Sequence, residues 1–444
     1  MGVMLYIMQF VTTDCYTRQI FWKEMTDTNT HFEDGCHVVY NLNSLYHAYL
    51  AAKKDSDWKP QVQKYEMNFL PHIVKSKAAL KDRAYQSKAS TEFIISERGK
   101  TRPITGLQMS DRVIRHSLCD NILAPSLLSY LIYDNGASLK GKGITFSRQR
   151  FEEHLHKYYR LYGNDGYILL MDYSKFYDNI PHDIAYQEIA KHVHDEFSLW
   201  LLDLIFDNFK IDVSYMTDEE YEHCMETPFN SADYRLNVPK SAHTGEKFMR
   251  KSVNIGDQCS QIIGIYYPTQ IDNFVKIVEG QKFYGRYMDD SYVISQSKEY
   301  LIELEAKIAA KATELGMTLN RKKTRIVKLS DYYRFLQISY SLTDTGRVIR
   351  KINPQRIVDM RRKLKALSRK VQRGERTQEE IENMFRSWIG GHAYLMSKIQ
   401  RDNLNLLYYD LFGGFIDGKY YLQYYPRKRN RDSRYTEWQQ LHHR

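Results

Sequence analysis

Two adjacent carboxylates at a turn are where this chain offers chemistry. Tyr287-Met288-Asp289-Asp290 lies between Lys282-Phe283-Tyr284-Gly285-Arg286 and Ser291-Tyr292-Val293-Ile294-Ser295. Both flanks are rich in apolar residues, so the stretch reads as two short strands joined by a tight turn, with the aspartates at its tip. Neighbouring carboxylates repel each other unless a cation neutralises them. Hard oxygen donors of this kind suit Mg²⁺, and Mn²⁺ accepts the same ligands. A pair of such ions is the apparatus of nucleotidyl transfer. One turn cannot hold two ions, so a third carboxylate must come from another strand. The apolar run Tyr167-Ile168-Leu169-Leu170-Met171 reads as a buried strand, and it ends in Asp172. Asp172 and Asp289 are far apart in sequence, so the fold has to assemble the site.

Further segments accompany these carboxylates in a fixed order. Glu97-Arg98-Gly99-Lys100-Thr101-Arg102-Pro103-Ile104 comes first, and Asp111-Arg112-Val113-Ile114-Arg115 continues it. Asp172 opens Asp172-Tyr173-Ser174-Lys175-Phe176-Tyr177-Asp178-Asn179-Ile180-Pro181-His182. Ile255-Gly256-Asp257-Gln258-Cys259-Ser260-Gln261 precedes the turn. Leu315-Gly316-Met317-Thr318-Leu319-Asn320-Arg321-Lys322-Lys323-Thr324 and Phe335-Leu336-Gln337 follow it. Together these resemble the reverse transcriptases, in the bacterial and phage, group II intron-like lineage. Residues 171–182 resemble motif A, 255–261 motif B, 287–290 the YxDD motif C, and 315–324 motif D. Residues 335–337 stand where the primer grip usually reads Phe-Leu-Gly. Six ordered segments spanning roughly residues 90 to 340 are a far stronger signal than any one of them.

The resemblance implies an α+β, right-hand polymerase fold with fingers, an antiparallel palm sheet carrying the YMDD hairpin, and a helical thumb. It divides the chain into an N-terminal extension (1–88), fingers (89–165), a first palm part (166–204), an insertion (205–250), a second palm part with primer grip (251–350), a helical thumb (351–426) and a basic tail (427–444). By the same resemblance Asp172 and Asp289 bridge two Mg²⁺ ions, and Asp290 supports them. Tyr177 lies under the sugar and excludes a 2′-hydroxyl by clash. Asp178 is structural, a turn or cap residue. Lys100 and Arg102 grip the triphosphate, Arg as a planar fork and Lys as a point charge. Lys323, or its neighbour Lys322, neutralises or protonates departing pyrophosphate.

Motif B departs from the common Gln-Gly-x-x-x-Ser-Pro. Gly256 still lets backbone approach the nascent pair, but Ile255 replaces the hydrogen-bonding Gln and Gln261 the Pro. This form resembles the reverse transcriptases of diversity-generating retroelements, which copy adenines with low fidelity. The insertion and the N-terminal extension point instead to a specialised, defence-associated lineage. Three functions therefore stand open. One is a mutagenic retroelement enzyme. Another is an antiphage reverse transcriptase, templated by its own non-coding RNA or untemplated and protein-primed. The third is a non-catalytic RNA-binding scaffold. Expected partners are an RNA template, the RNA/DNA duplex, dNTPs, and an accessory protein or structured non-coding RNA.

Composition supports this frame. The 444 residues are 43% hydrophobic, enough for two or three domains. Lys and Arg (64) exceed Asp and Glu (54), which favours polyanionic partners without specifying sequence. Cys15, Cys36, Cys119, Cys224 and Cys259 form no CxxC or zinc pattern, which fits a reducing compartment. Residues 3–11 are apolar but too short for a signal peptide or a span, and read as a buried strand. A cytoplasmic protein with no membrane association is expected. The Gly- and Lys-rich stretch 136–143 reads as a phosphate-approaching or merely flexible loop. Helices are expected over residues 42–54, 62–81, from 218 behind Thr217 as N-cap, and from 377 in a capping box with Glu380. Between these last two lies a basic helix whose apolar face is Ile357, Met360, Leu364 and Leu367.

Overall fold

The computed structural model describes residues 36–97 and 100–413, in two units, Met1–Leu329 and Ser330–Arg444. The run 3–11, Cys15, Arg98-Gly99 and the tail 427–444 lie outside the described residues.

The first unit opens with α1 (Leu42–Lys53), α2 (Pro60–Met67) and α3 (Phe69–Lys81). The single helical run expected over 62–81 is broken at Asn68. Pro71 explains the break. It has no N–H to give Met67, and its ring collides with that carbonyl inside a helix, but it is tolerated in a first turn. Next comes a hairpin, β1 (Thr91–Glu97) and β2 (Lys100–Gly106), paired from Thr91↔Gly106 to Glu97↔Lys100. Helix α4 (Met109–Leu118) follows, and its Met109 and Val113 complete a core with Leu45, Tyr49, Phe69 and Ile73.

Helix α5 (Ile144–Tyr162) leads into β3 (Tyr167–Met171), as buried as its apolar run predicts. Helices α6 (His182–Ala190) and α7 (Glu196–Phe209) come next. Helix α7 runs into the expected insertion, whose independent structure begins only at β4 (Ile211–Asp212). It continues through α8 (Asp218–Glu226) and α9 (Ser231–Asn237) and closes at β5 (Phe248–Met249), which pairs with β4. Ile211, Val213, Met216, Cys224, Phe229 and Met249 form its own small core. Thr217 caps α8 in a capping box with Glu220.

Helix α10 (Gln258–Tyr266) precedes the hairpin β6 (Tyr284–Tyr287) and β7 (Asp290–Ser295). Helix α11 (Lys298–Glu314) and β8 (Arg325–Lys328) complete an antiparallel sheet in the order β6-β7-β3-β8. Leu169, Met171 and Val293 share one face with Leu201 and Ile205 of α7, Ile263 of α10 and Leu304 of α11 in the main core. On the other face Tyr292 meets Phe151 of α5 edge-on at 4.7 Å and bonds His154 at 2.8 Å. Burying each such side chain contributes about 1.5–3 kcal/mol, so the sheet that carries the aspartates is clamped on both sides.

The second unit begins with β9 (Tyr333–Phe335), β10 (Ile338–Leu342) and β11 (Val348–Ile352) in an antiparallel meander. Phe335 pairs with Ile338, so Leu336 and Gln337 form a two-residue turn, both with left-handed φ (43° and 73°). Helices α12 (Pro354–Gln372), α13 (Gln378–His392) and α14 (Lys398–Phe412) follow. Met360 and Leu364 of α12 are buried, Ile357 and Leu367 are half-buried, and Arg361, Arg362, Lys363, Lys365, Arg369 and Lys370 are exposed. Thr377 and Glu380 form the expected capping box on α13. Among the described residues no helix is long and apolar enough to cross a membrane.

Candidate active site

Tyr287 pairs with Asp290, which leaves Met288 and Asp289 as the two turn residues of the β6–β7 hairpin. Asp289 is therefore at the tip, while Asp290 is the first residue of β7. Met288 has φ 55°, a left-handed value that a non-glycine residue holds at a cost of roughly 1 kcal/mol. Arg286 supports the turn by donating from Nη1 to the Met288 carbonyl at 3.1 Å. Its guanidinium is fully buried and forked onto Asp272, Nε to Oδ1 at 2.8 Å and Nη2 to Oδ2 at 2.7 Å. Tyr284 donates to the same carboxylate at 2.6 Å. Burial alone would push the Arg286 guanidinium down, but Asp272 outweighs it and holds the group charged.

Asp172 reaches the hairpin through register. Met171 lies opposite Ser291, so the next residue along β3 ends beside the start of β7. Motif D is stitched to this point. The Asn320 amide donates to the Asp172 carbonyl at 2.8 Å, and the Ser174 amide to the Thr318 carbonyl at 2.8 Å. That lacing brings the Lys323 ammonium to 2.7 Å from both Asp172 carboxylate oxygens. Lys323, not Lys322, is thus the lysine held at this carboxylate. Among the described residues no group of three or more His, Cys, Asp or Glu closes on one point as a metal cage. The donor set still fits hard cations: three carboxylates at adjacent strand ends, one of them already gripping an ammonium as a stand-in positive charge.

Tyr177 is half-buried, with its hydroxyl 3.7 Å from the Met288 sulfur. Burial, reinforced by the Asp289 charge, pushes its phenol up to about 12, so the ring stays neutral. Gly264 of α10 makes the room, since a Cβ there would come 2.9 Å from the Tyr177 hydroxyl. Residues 255–261 meet β2 through backbone: the Thr105 amide donates to the Ile255 carbonyl at 3.2 Å. Gly256 adopts φ 110°, and a Cβ on it would lie 3.2 Å from both the Ile104 Cγ2 and the Thr105 carbonyl. Ile255 is half-buried and Gln261 is exposed on α10. Arg102 lies on β2 opposite Ile95, exposed, and Lys100 two residues earlier opposite Glu97.

Several supporting contacts carry no local sequence pattern. Arg115 of α4, completely buried, is ion-paired to Asp257 at the N-cap of α10 and donates to Asn208 at 2.7 Å. It ties α4, the helix after the β1–β2 hairpin, to the start of α10. Asp178 accepts from Ser231 of α9 at 2.5 Å. The Asn179 amide makes a two-way pair with the backbone of Phe229, donating at 3.0 Å and accepting at 2.9 Å. Lys251 is buried with its ammonium on the carbonyls of Cys224, Met225 and Thr227, at the C-terminal end of α8. The insertion is thereby fastened to the turn that carries Tyr177, and α9 also lies against β2.

The family described as reverse transcriptase (RNA-dependent DNA polymerase) matches residues 87–340. No curated protein sequence matches the chain. Among solved structures, apo telomerase from Candida tropicalis is similar at 16% identity and a TM-score of 0.37, over 60% of this chain and 49% of that one. Telomerase from Candida albicans with a fragment of telomeric RNA is similar at 13% identity and 0.39, over 62% and 46%. The Candida tropicalis enzyme truncated of its C-terminal domain gives 13% and 0.39, over 64% and 60%. The chain spans about half the length of the first two telomerase chains.

Proposed function

Because this chain belongs to the reverse transcriptase family, with its α+β right-hand polymerase fold, we propose that it is an RNA-directed DNA polymerase that builds cDNA on a dedicated RNA template. The observation that carries this reading is the register that sets Asp172 at the end of β3 beside the Met288-Asp289 turn and Asp290. Asp172, Asp289 and Asp290 would hold two divalent cations, Mg²⁺ or Mn²⁺, which when bound supply charge neutralisation at the reacting phosphate. In the reaction the primer 3′ hydroxyl gives its proton to solvent water and its oxygen bonds the α-phosphorus. The bond from that phosphorus to the bridging oxygen breaks, and the departing pyrophosphate takes up a proton. Lys323, once released from Asp172, is the donor of that proton. Lys100 and Arg102 orient the triphosphate, and Tyr177 excludes the 2′-hydroxyl. The Asp289→Ala, Asp290→Ala double variant is expected to lose primer extension by on the order of 10³-fold or more. Its RNA affinity should stay within about twofold, because the Lys and Arg side chains that neutralise backbone phosphates are untouched. Retained synthesis would sink the assignment, and the scaffold reading would take its place.

For biological role, Ile255 supports a mutagenic retroelement enzyme: it offers motif B no side-chain hydrogen bond with which to check a base pair. The folded insertion on motif A favours an antiphage enzyme served by its own structured RNA or accessory protein. Sequencing the DNA that co-purifies with the wild type, but not with the double variant, separates the two. Templated cDNA miscopied at adenines supports the first. Faithful copies of one non-coding RNA, or untemplated DNA joined to protein, support the second.

A further inference from the structure

A surface cavity of about 430 Å³ lies between α5 and the residues leading into β6. Its lining includes Arg150, Lys157 and Arg160 of α5 and Lys282 before β6, with Asp134 as the only carboxylate. Asp134 is already satisfied, by Arg150 at 2.8 Å, Lys276 at 3.0 Å and His154 at 3.5 Å. Lys157, Arg160 and Lys282 are exposed and form no ion pair among the described residues. An anion is what completes such a rim.

Aromatic rings flank it. Tyr133, 65% exposed, lies 5.0 Å from the Arg150 guanidinium. Tyr162, 44% exposed, packs 5.2 Å from Tyr158, whose ring is 5.6 Å from Phe283 in the cavity wall. None of the three aspartates lines the cavity. Phe283 is five residues before Met288, roughly 16 Å of extended chain.

The geometry points to a second nucleic-acid site here, in which Lys157, Arg160 and Lys282 take backbone phosphates and Tyr133 and Tyr162 stack on unpaired bases of a single strand. Cations that track a backbone, with exposed rings to either side, are how single strands are bound without sequence preference. A free nucleotide has one phosphate cluster and one base. It would leave part of this spread of cations and one of the two tyrosines unused.

The test is fluorescence anisotropy with a labelled 20-nucleotide single strand, RNA in one arm and DNA in the other. The Lys157→Glu, Arg160→Glu double variant should lose about tenfold in affinity for at least one strand type, and its log-affinity against log-salt slope should fall by roughly one to two. Tyr133→Ala with Tyr162→Ala should weaken binding while leaving that slope alone. Single-nucleotide extension on a short hairpin template-primer should be unchanged in both variants, which separates this site from the polymerase reading. Wild-type affinity and slope for both strands in the charge-reversed protein would overturn the proposal. So would displacement of the strand by an equimolar mononucleotide.

Discussion

At the residue scale, Lys323 is the side chain whose position most constrains behaviour. Its ammonium sits on both oxygens of Asp172, so any divalent cation must displace it. Lys323→Met should therefore do two opposed things. Turnover should fall by about 10²-fold, as expected when a proton donor is lost. The Mg²⁺ concentration for half-maximal activity should fall as well, because the competing charge is gone. A variant needing more Mg²⁺ would show that Lys323 does not compete for the carboxylate. The aspartates were legible in sequence because their signal is local: paired carboxylates between apolar flanks, and an apolar run that stops at Asp172. Arg286 with Asp272, and Arg115 with Asp257, were not. A buried ion pair is chosen by which elements pack together, and a lone Arg or Asp gives no sign of that choice. Removing one partner of such a pair costs about 3–5 kcal/mol, so their invisibility in sequence is no measure of their weight.

At the element scale, two local departures have measurable consequences. Gln337 occupies a left-handed turn position that glycine fills without strain. Gln337→Gly is expected to stabilise the β9–β10 turn by about 0.5–1 kcal/mol, read as a higher denaturant midpoint. A lower midpoint would mean that the glutamine side chain holds the turn by contacts that outweigh its backbone strain. His182, at the start of α6, is buried and gives its Nε2 proton to the Ser252 carbonyl at 2.6 Å. Burial holds its imidazole down to about 4, against about 6.5 in an unfolded chain. The folded state thus binds fewer protons than the unfolded one. The contribution is complete above pH about 6.5 and is lost as pH falls through the folded value, at most about 3 kcal/mol in all. Between pH 7 and pH 4.5 the wild type should lose more thermal stability than His182→Gln. Equal losses would remove His182 from the acid response. Strands and caps such as β3, Thr217 and Thr377 were legible, since period and cap chemistry are short-range. The split between α2 and α3 is just as short-range, set by Pro71 in the first turn of α3.

At the scale of the whole molecule, the excess of Lys and Arg over Asp and Glu predicts binding to nucleic acid that weakens with salt. Affinity for a primed RNA template should fall about 10²-fold between 50 and 200 mM monovalent salt. A flat response would mean that shape and stacking, not charge, hold the substrate. The order of the six motifs fixed the polymerase architecture in sequence, but the packing of residues 211–249 could not be read, because its anchors are single side chains on motif A and after β5. Those anchors reverse the usual relation between an enzyme and its embellishment. Cut the segment back to a plain connection, and the Asn179 side-chain oxygen loses the Phe229 amide and the Lys251 ammonium loses all three of its carbonyls. Stranding an uncharged group costs about 1–3 kcal/mol and a charged one more. The turn that carries Tyr177 has become a tenant of the insertion, and a deletion meant to remove an accessory will read out as a failing polymerase.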